Sequence, residues 1–495
     1  MDETVDWWYD DAMKVRIKNG QTLWEALREQ NIELDRPCGG KGTCGQCAVE
    51  IANVGSVLSC RFSDAGEYEV SLIGQQSFDT VFAAFAWTGL SKRSGICAAV
   101  DLGTTTVAIA LTDGTLCVRR QFVNPQRQYG ADVVSRIEAA NRGEGERLKT
   151  LIRDALLREL CEGVAKLDRR SEEGRPHREH GAKAVCRVAI SGNTTMLHLL
   201  RGLSCEGLGK APFRPVEMGF GQEQWERDGF CFAVTYLPGF SAYIGADIVS
   251  GLYALRMSKG DFWDTLFLDL GTNGEMALVT REGICCASAA AGPAFEGSAL
   301  AMQIHAAGIL HVTAELLKRD LMDGYGTLRE PYRTEGILVG GLLDPKADDR
   351  RLPEELRITQ DDIREIQMAK AAIRAGIEIL LERTGRSAAR VKAVYLAGGM
   401  GYYLDPKDAE TIGLIPAFAH ATVTVCGNTS LEGAKRYLAS QQTVSDEKTE
   451  KNALADGIND VRQQMKEILL ADDPTFADRY ISFMNFPELP CGQGS

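Results

Sequence analysis

Residues 96–113 read ICAAVDLGTTTVAIALTD, and residues 266–278 read LFLDLGTNGEMAL. In each stretch an apolar run closes on Asp-Leu-Gly-Thr and a second apolar run follows. Each pattern predicts a strand, a tight turn and a second strand. An acidic residue at a strand end can hold Mg²⁺ through water. A Gly/Thr turn offers N–H and hydroxyl donors to phosphate. Asp269 matches Asp101, Gly271 matches Gly103 and Thr272 matches Thr104. A repeat at this distance predicts two similar subdomains. Facing each other, the two hairpins would grip a nucleotide's phosphates from both sides. Gly103, Thr104, Thr105 and Thr106 serve on one side, and Gly271, Thr272, Asn273 and Gly274 on the other.

Working outward, a third glycine turn follows at 394–401, VYLAGGMG. A strand ending in Gly398, Gly399, Met400 and Gly401 leaves open backbone on which an adenine can lie. Two helices with small faces complete the set: IGADIVSGLYAL (244–255) and TSLEGAKRYL (429–438). Helices with Gly and Ala faces can cross closely and act as a hinge. A lone glycine turn is usually just a turn, and an apolar Gly/Ala helix is usually core. Five such features in this order are a far more specific signal. They resemble the ATPase superfamily of actin, hexokinase and acetate kinase. That resemblance implies a duplicated α/β fold of two subdomains around bound ATP.

Before this body the chain carries RPCGGKGTCGQC (36–47) and SVLSC (56–60). Cys38, Cys44, Cys47 and Cys60 are spaced C-x5-C-x2-C-x12-C. Zinc sites favour two tight pairs, and here there is one, preceded by a cysteine on a glycine-rich loop. A 2Fe–2S cluster needs two thiolates per iron and a backbone wrapped closely around its sulfides, which Gly39, Gly40, Gly42 and Gly45 permit. A zinc ribbon and four free thiols are the competing readings. Residues 13–18 read as a strand, Asn19-Gly20 as a hairpin-type turn and 23–30 as a short helix. Paired strands are expected at 47–52 and 56–59, and a closing strand at 67–72. Together these resemble the β-grasp fold of ferredoxins. The gap from Cys47 to Cys60 is shorter than in the plant type.

The remaining composition sets limits. Of 495 residues, 44% are hydrophobic and 25% charged, enough apolar content for sizeable cores. The net charge of −13 argues against nucleic acid and anionic membrane surfaces as main partners. No run of 18 apolar residues predicts a membrane span, and the acidic N-terminus lacks the pattern of a secretory signal. A cytoplasmic location is expected. The ten scattered cysteines then read as buried thiols. His198, on an apolar helical stretch, reads as a core histidine. Residues 361–384 predict a long amphipathic helix ended by Gly385, and 458–471 predict another. The expected organisation is a ferredoxin-type domain (1–75), a linker (76–94), an ATPase domain of two subdomains (95–440) and a tail (441–495).

The combination narrows the match. CGGKGTCGQC, DLGTTTVA, YGADVVSRI, SGNTTMLHLL, PGFSAYIGAD, DLGTNGEM, AAGPAFEG, LAGGMG and GNTSLEGA resemble the reductive activators of corrinoid proteins. The resemblance spans residues 11–480. It implies ATP-dependent return of Co(II) to Co(I) in a corrinoid methyltransferase system, with the electron passing through the 2Fe–2S cluster. It implies Asp101 as the residue placing Mg²⁺ and Asp269 as the one orienting the attacking water. The implied partners are a corrinoid protein, an electron donor such as reduced ferredoxin or a flavoprotein, and a second copy in a homodimer. Two other functions stay open: an ATP-gated electron-transfer activator of another low-potential metalloenzyme, and a small-molecule kinase with a redox module.

Overall fold

The computed structural model describes residues 13–30, 48–52, 54–72, 95–130, 132–172, 185–257, 262–271, 273–292, 294, 306–342, 356–398, 404–441 and 450–488. Cys38, Cys44, Cys47, Thr272, Gly399, Met400, Gly401 and the expected linker at 76–94 lie outside the described residues. The chain divides into two units.

The first unit is a small mixed layer. Its elements are β1 (Met13–Ile17), α1 (Leu23–Glu29), β2 (Ala48–Ile51), β3 (Gly55–Leu58) and β4 (Gly66–Leu72). The sheet order is β1-β4-β2-β3. Asn19-Gly20 does turn the chain, with Gly20 at φ +77°. It delivers the chain into α1, and β1 takes the distant β4 as its antiparallel partner. The reason is local. The Thr22 backbone N–H donates to Glu25 Oε2 at 2.8 Å, and the Glu25 N–H donates to Thr22 Oγ1 at 3.3 Å. This reciprocal capping box starts a helix where a second hairpin strand would have to run. Val15, Ile17, Leu23, Leu27, Val49, Ile51 and Val70 form the core, and Cys60 is buried among them.

The second unit holds two six-stranded sheets. The first is built from β5 (Cys97–Leu102), β6 (Thr106–Thr112), β7 (Cys117–Val123), β8 (Val185–Gly192), β9 (Gly221–Arg227) and β10 (Phe230–Tyr236). The second is built from β11 (Thr265–Leu270), β12 (Gly274–Thr280), β13 (Gly283–Ala289), β14 (Ala393–Ala397), β15 (Thr422–Gly427) and β16 (Met465–Glu467). Their orders are β7-β6-β5-β8-β10-β9 and β15-β14-β11-β12-β13-β16. In each, an antiparallel three-strand meander comes first. A strand then pairs parallel to its first member, and another pairs parallel to that one. The path is the same twice, with one extra edge strand each: β9 beside β10, and β16 beside β13.

The helices that matter for the site are α2 (Val133–Ala139), α3 (Gly145–Glu172), α4 (Thr194–Arg201), α5 (Ala246–Ala254), α6 (Gln360–Arg383), α7 (Thr429–Ser440), α8 (Glu450–Gln464) and α9 (Phe476–Met484). The long helix expected at 361–384 is α6, opened by a Thr359/Asp362 capping box and followed by Gly385 at φ +63°. The helix expected at 458–471 ends sooner. It stops at Gln464, and Met465–Glu467 becomes β16 by pairing with Ile284–Cys286. Helix α7 follows β15, an edge strand of the second sheet, yet packs on β5 and β8 of the first. It crosses α5 with almost no space between backbones. A Cβ on Gly433 would lie 2.3 Å from the Ser250 carbonyl oxygen, and one on Gly251 would lie 2.7 Å from Thr429 Oγ1. Among the described residues no helix is long and apolar enough to cross a membrane.

Candidate functional site

Asp101 and Asp269 occupy equivalent places, each the fifth residue of the first strand of its meander. Asp101 faces Ala108 and Ser191 on its neighbouring strands, while Asp269 faces Glu275 and Ala397. The turn after Asp101 needs Gly103, since a Cβ there would lie 2.4 Å from the Thr106 carbonyl oxygen. Gly398, at φ +84°, closes on the other aspartate. A Cβ there would lie 2.4 Å from Asp269 Oδ1 and 2.6 Å from the Leu270 carbonyl oxygen.

The 103–105 turn is held from behind by its carbonyls. Asn124 Nδ2 donates to the Gly103 carbonyl at 2.9 Å, and the Asn124 N–H donates to the Thr105 carbonyl at 2.9 Å. Arg136 Nη2 donates to the Thr104 carbonyl at 2.7 Å. Asn193 Nδ2 donates to Thr104 Oγ1 at 2.9 Å, and the same residue caps α4 by accepting from the Met196 N–H. In a trans peptide the N–H points opposite to the preceding carbonyl. The N–H groups of Thr104 and Thr105 are thereby turned away from Asn124 and Arg136, as an anion-binding turn requires.

Asp101 is anchored to the crossing helices. It accepts from Asn428 Nδ2 at 2.8 Å and from Ser430 Oγ at 2.7 Å. Ser430 Oγ lies 3.0 Å from Ser191 Oγ, which lies 3.0 Å from Ser250 Oγ. Each hydroxyl has one proton to give. With Ser430 committed to the carboxylate, Ser191 donates to Ser430 and Ser250 to Ser191. The chain of hydroxyls joins β5, α7, β8 and α5, all fully or almost fully buried.

Two further carboxylates complete the cluster. Asp247, in the first turn of α5, is pushed up to about 7, mainly by burial, with the Asp101 charge adding to it and the Ile248 N–H opposing it. Glu275 is raised well above its usual range by burial and then by the charges of Asp247 and Asp269, while the Asn273 side chain pulls it back. Burial raises Asp101 as well, against its bonds from Ser430 and Asn428. The two repeated turns therefore meet in one electrostatic group, Asp101, Asp247, Asp269 and Glu275. Such crowded carboxylates gain from a cation between them. Among the described residues no three acidic, His or Cys side chains are placed to hold a metal ion unaided.

The sequence pointed to Asp101, Gly103–Thr106, Asp269, Gly271, Asn273, Gly274 and Gly398, and the described part of that set lies on these turns. It missed Asp247, Glu275, Asn428, Ser430, Asn124 and Arg136. A signal for Glu275 existed: it is the one acidic residue in GEMALVT, a strand whose every residue is buried. His198 is a core residue, donating from Nδ1 to the Thr194 carbonyl and accepting at Nε2 from the Val216 N–H.

In the first unit, Cys60 is 6% exposed and follows β3. The neighbouring Ser59 hydroxyl is fully buried with no hydrogen-bond partner among the described residues. The Ser59 and Phe62 carbonyls accept from the first N–H groups of α1, at 2.9 and 2.7 Å. A buried thiol on a pinned turn, beside an unspent hydroxyl donor, fits a cluster ligand.

Known proteins are similar to this chain. The model described as the RACo middle region matches residues 96–260. That of the C-terminal ASKHA domain of RACo matches 264–308 and 300–492. A 2Fe–2S iron–sulfur cluster binding domain matches 9–69. The corrinoid activation enzyme RamQ of Eubacterium limosum is 28% identical over 436 residues, 77% of this chain and 69% of that protein. A Co(II) methylated amine-specific corrinoid protein reductase of Methanosarcina barkeri is 29% identical over 315 residues, 53% of this chain and 57% of that protein. The solved structure of a reductive activator for a corrinoid, iron–sulfur protein superposes with a TM-score of 0.66 at 21% identity, covering 96% of this chain and 98% of that one. The fold is accordingly α/β: a β-grasp ferredoxin-type domain and a duplicated ATPase of the actin/hexokinase (ASKHA) type.

Proposed function

The chain belongs to the family of reductive activators of corrinoid proteins, and from that premise we propose how it performs ATP-dependent reduction of a corrinoid protein. The substrate Co(II) gains one electron and becomes Co(I), while ATP and water become ADP and phosphate. One observation carries the reading: a 2Fe–2S domain match, an ASKHA domain match and the repeated Asp-Leu-Gly-Thr at 101 and 269 occur in the same chain.

A bound 2Fe–2S cluster supplies one-electron chemistry near roughly −400 mV. Cys60, with Cys38, Cys44 and Cys47, would hold it, and the Ser59 hydroxyl stands ready to donate to a cluster sulfur. In the second unit the turned N–H groups of Thr104 and Thr105 bind phosphate oxygens. The turn at Gly271, Thr272, Asn273 and Gly274 does the same from the other sheet. Asp101, fixed by Asn428 and Ser430, would hold the Mg²⁺ ion that accompanies ATP. Asp269 orients the attacking water, and Asp247 and Glu275 supply the remaining negative charge around the cation. The Gly398–Gly401 turn provides the floor for adenine. Cobalt reduction lies uphill of such a cluster, and a deficit of about 100 mV corresponds to about 2 kcal/mol for one electron. Closure of the cleft on ATP, transmitted through α5 and α7, changes the surface that grips the corrinoid protein and so covers that deficit. Reduced ferredoxin or a flavoprotein loads the cluster, the protein acts as a homodimer, and it works in the cytoplasm.

The direct test mixes the reduced protein with a Co(II) corrinoid protein and follows Co(I) absorbance with and without MgATP. ATP-dependent appearance of Co(I) is expected. Equal Co(I) in both arms, or none in either, would remove the proposal.

A further inference from the structure

Arg136 is wholly buried, and no described carboxylate forms an ion pair with it. It sits on α2, whose first turn is capped by Asp132 accepting from the Ser135 N–H. Its guanidinium is nevertheless fully directed. Nη2 donates to the Thr104 carbonyl at 2.7 Å, Nε to the Gly130 carbonyl at 3.0 Å, and Nη1 to Met196 Sδ at 3.1 Å. Gly130 is required for this approach, since a Cβ there would lie 2.3 Å from Ser135 Cβ. Met196 is itself tied to the site: its sulfur also receives Asn124 Nδ2 at 3.6 Å, and its N–H is the one that Asn193 caps. Burial lowers the guanidinium to about 10, so it stays charged at neutral pH.

A buried cation without a carboxylate partner is costly. This one stands at the carbonyl end of the peptide whose N–H end is the Thr105 donor. A positive charge there aligns that peptide dipole and adds to the positive potential on its far side, where an anion would bind. Its planar fork holds two carbonyls at fixed angles, a task that a lysine's point charge cannot repeat. We propose that Arg136 is the positioning residue of the 103–106 turn, clamping the Thr104 carbonyl from behind so that the turn's N–H groups are set for the nucleotide's phosphates. The inference rests on that turn being a phosphate loop.

The test measures dissociation constants of the full-length protein for MgATP and for adenosine, in wild type, R136K and M196L. Wild type should bind MgATP more tightly than adenosine. In R136K, MgATP should weaken about tenfold while adenosine changes less than about twofold, since only the phosphate donors lose alignment. M196L is a near volume-conserving swap that removes the sulfur from the fork, and it should weaken MgATP about threefold with adenosine unchanged. If R136K does not fold, the M196L ratio decides alone. MgATP and adenosine weakening in step, or an unchanged ratio in the variants, overturns the role of Arg136. A wild type with no preference for MgATP over adenosine overturns the phosphate-loop reading beneath it, and that result is separable because it needs no variant.

Discussion

At the scale of single residues, the site is a balance of crowded charge. Asp247 titrates at about 7 in the folded protein against an ordinary 3.8. Between those values the folded state keeps a proton that the unfolded state has lost, so stability falls as pH rises. The nucleotide-free protein should melt at a lower temperature at pH 8 than at pH 5.5, and Asp247→Asn should flatten that slope. A variant slope as steep as wild type would show that the crowding lies elsewhere. Asp269→Ala should abolish ATP hydrolysis while leaving the visible spectrum of the 2Fe–2S cluster intact. Retained hydrolysis, or a lost spectrum, would refute its role. The two repeated aspartates were legible because each closes an apolar run on the same four letters. Asp247 was not, because an acidic residue in a helix's first turn is ordinary. Only the fold brings it to Asp101.

At the scale of elements, the proposed coupling runs through the close crossing of α5 and α7. Small residues at Gly251 and Gly433 were visible in sequence, but their partners were not. It is Ser250 on one helix and Thr429 on the other that fill the space. Arg436 on α7 adds a tie, donating from Nη1 to the Tyr253 and Ala254 carbonyls at the end of α5. Gly433→Ala would press a methyl against the Ser250 carbonyl and should cost about 1–3 kcal/mol in urea unfolding, with a fall in ATP hydrolysis. An unfolding midpoint equal to wild type would mean that the helices cross more loosely. The short strand β16 lay beyond sequence reading for the opposite reason. Met-Lys-Glu has no strand signal of its own, and its conformation comes from the edge of β13 that it joins.

At the scale of the whole molecule, the proposed function divides the labour between the two units, and a substitution can test that division. Cys60→Ser should lose or weaken the cluster's visible and EPR signals and stop corrinoid reduction, yet leave ATP hydrolysis near wild type. Loss of hydrolysis in a folded Cys60→Ser protein would show that ATP turnover needs the intact cluster. The duplicated ATPase could be anticipated from 96–113 and 266–278 because both hairpins are local. The strand order could not, since parallel partners such as Asp101 and Ser191 are set by contacts between segments far apart in the chain.

The late arrival of β16 has a consequence for synthesis. Ile284–Cys286 on β13 wait for residues 465–467 to cover their edge, and Ser241 Oγ waits for Glu467, to which it donates at 2.6 Å. A nascent chain halted near residue 440 would already carry both Asp-Leu-Gly-Thr turns and the crossing helices. It would also show a bare, apolar strand edge to its neighbours, a known template for aggregation. Translation through residues 465–467 thus decides whether that edge is covered or stays open to other chains.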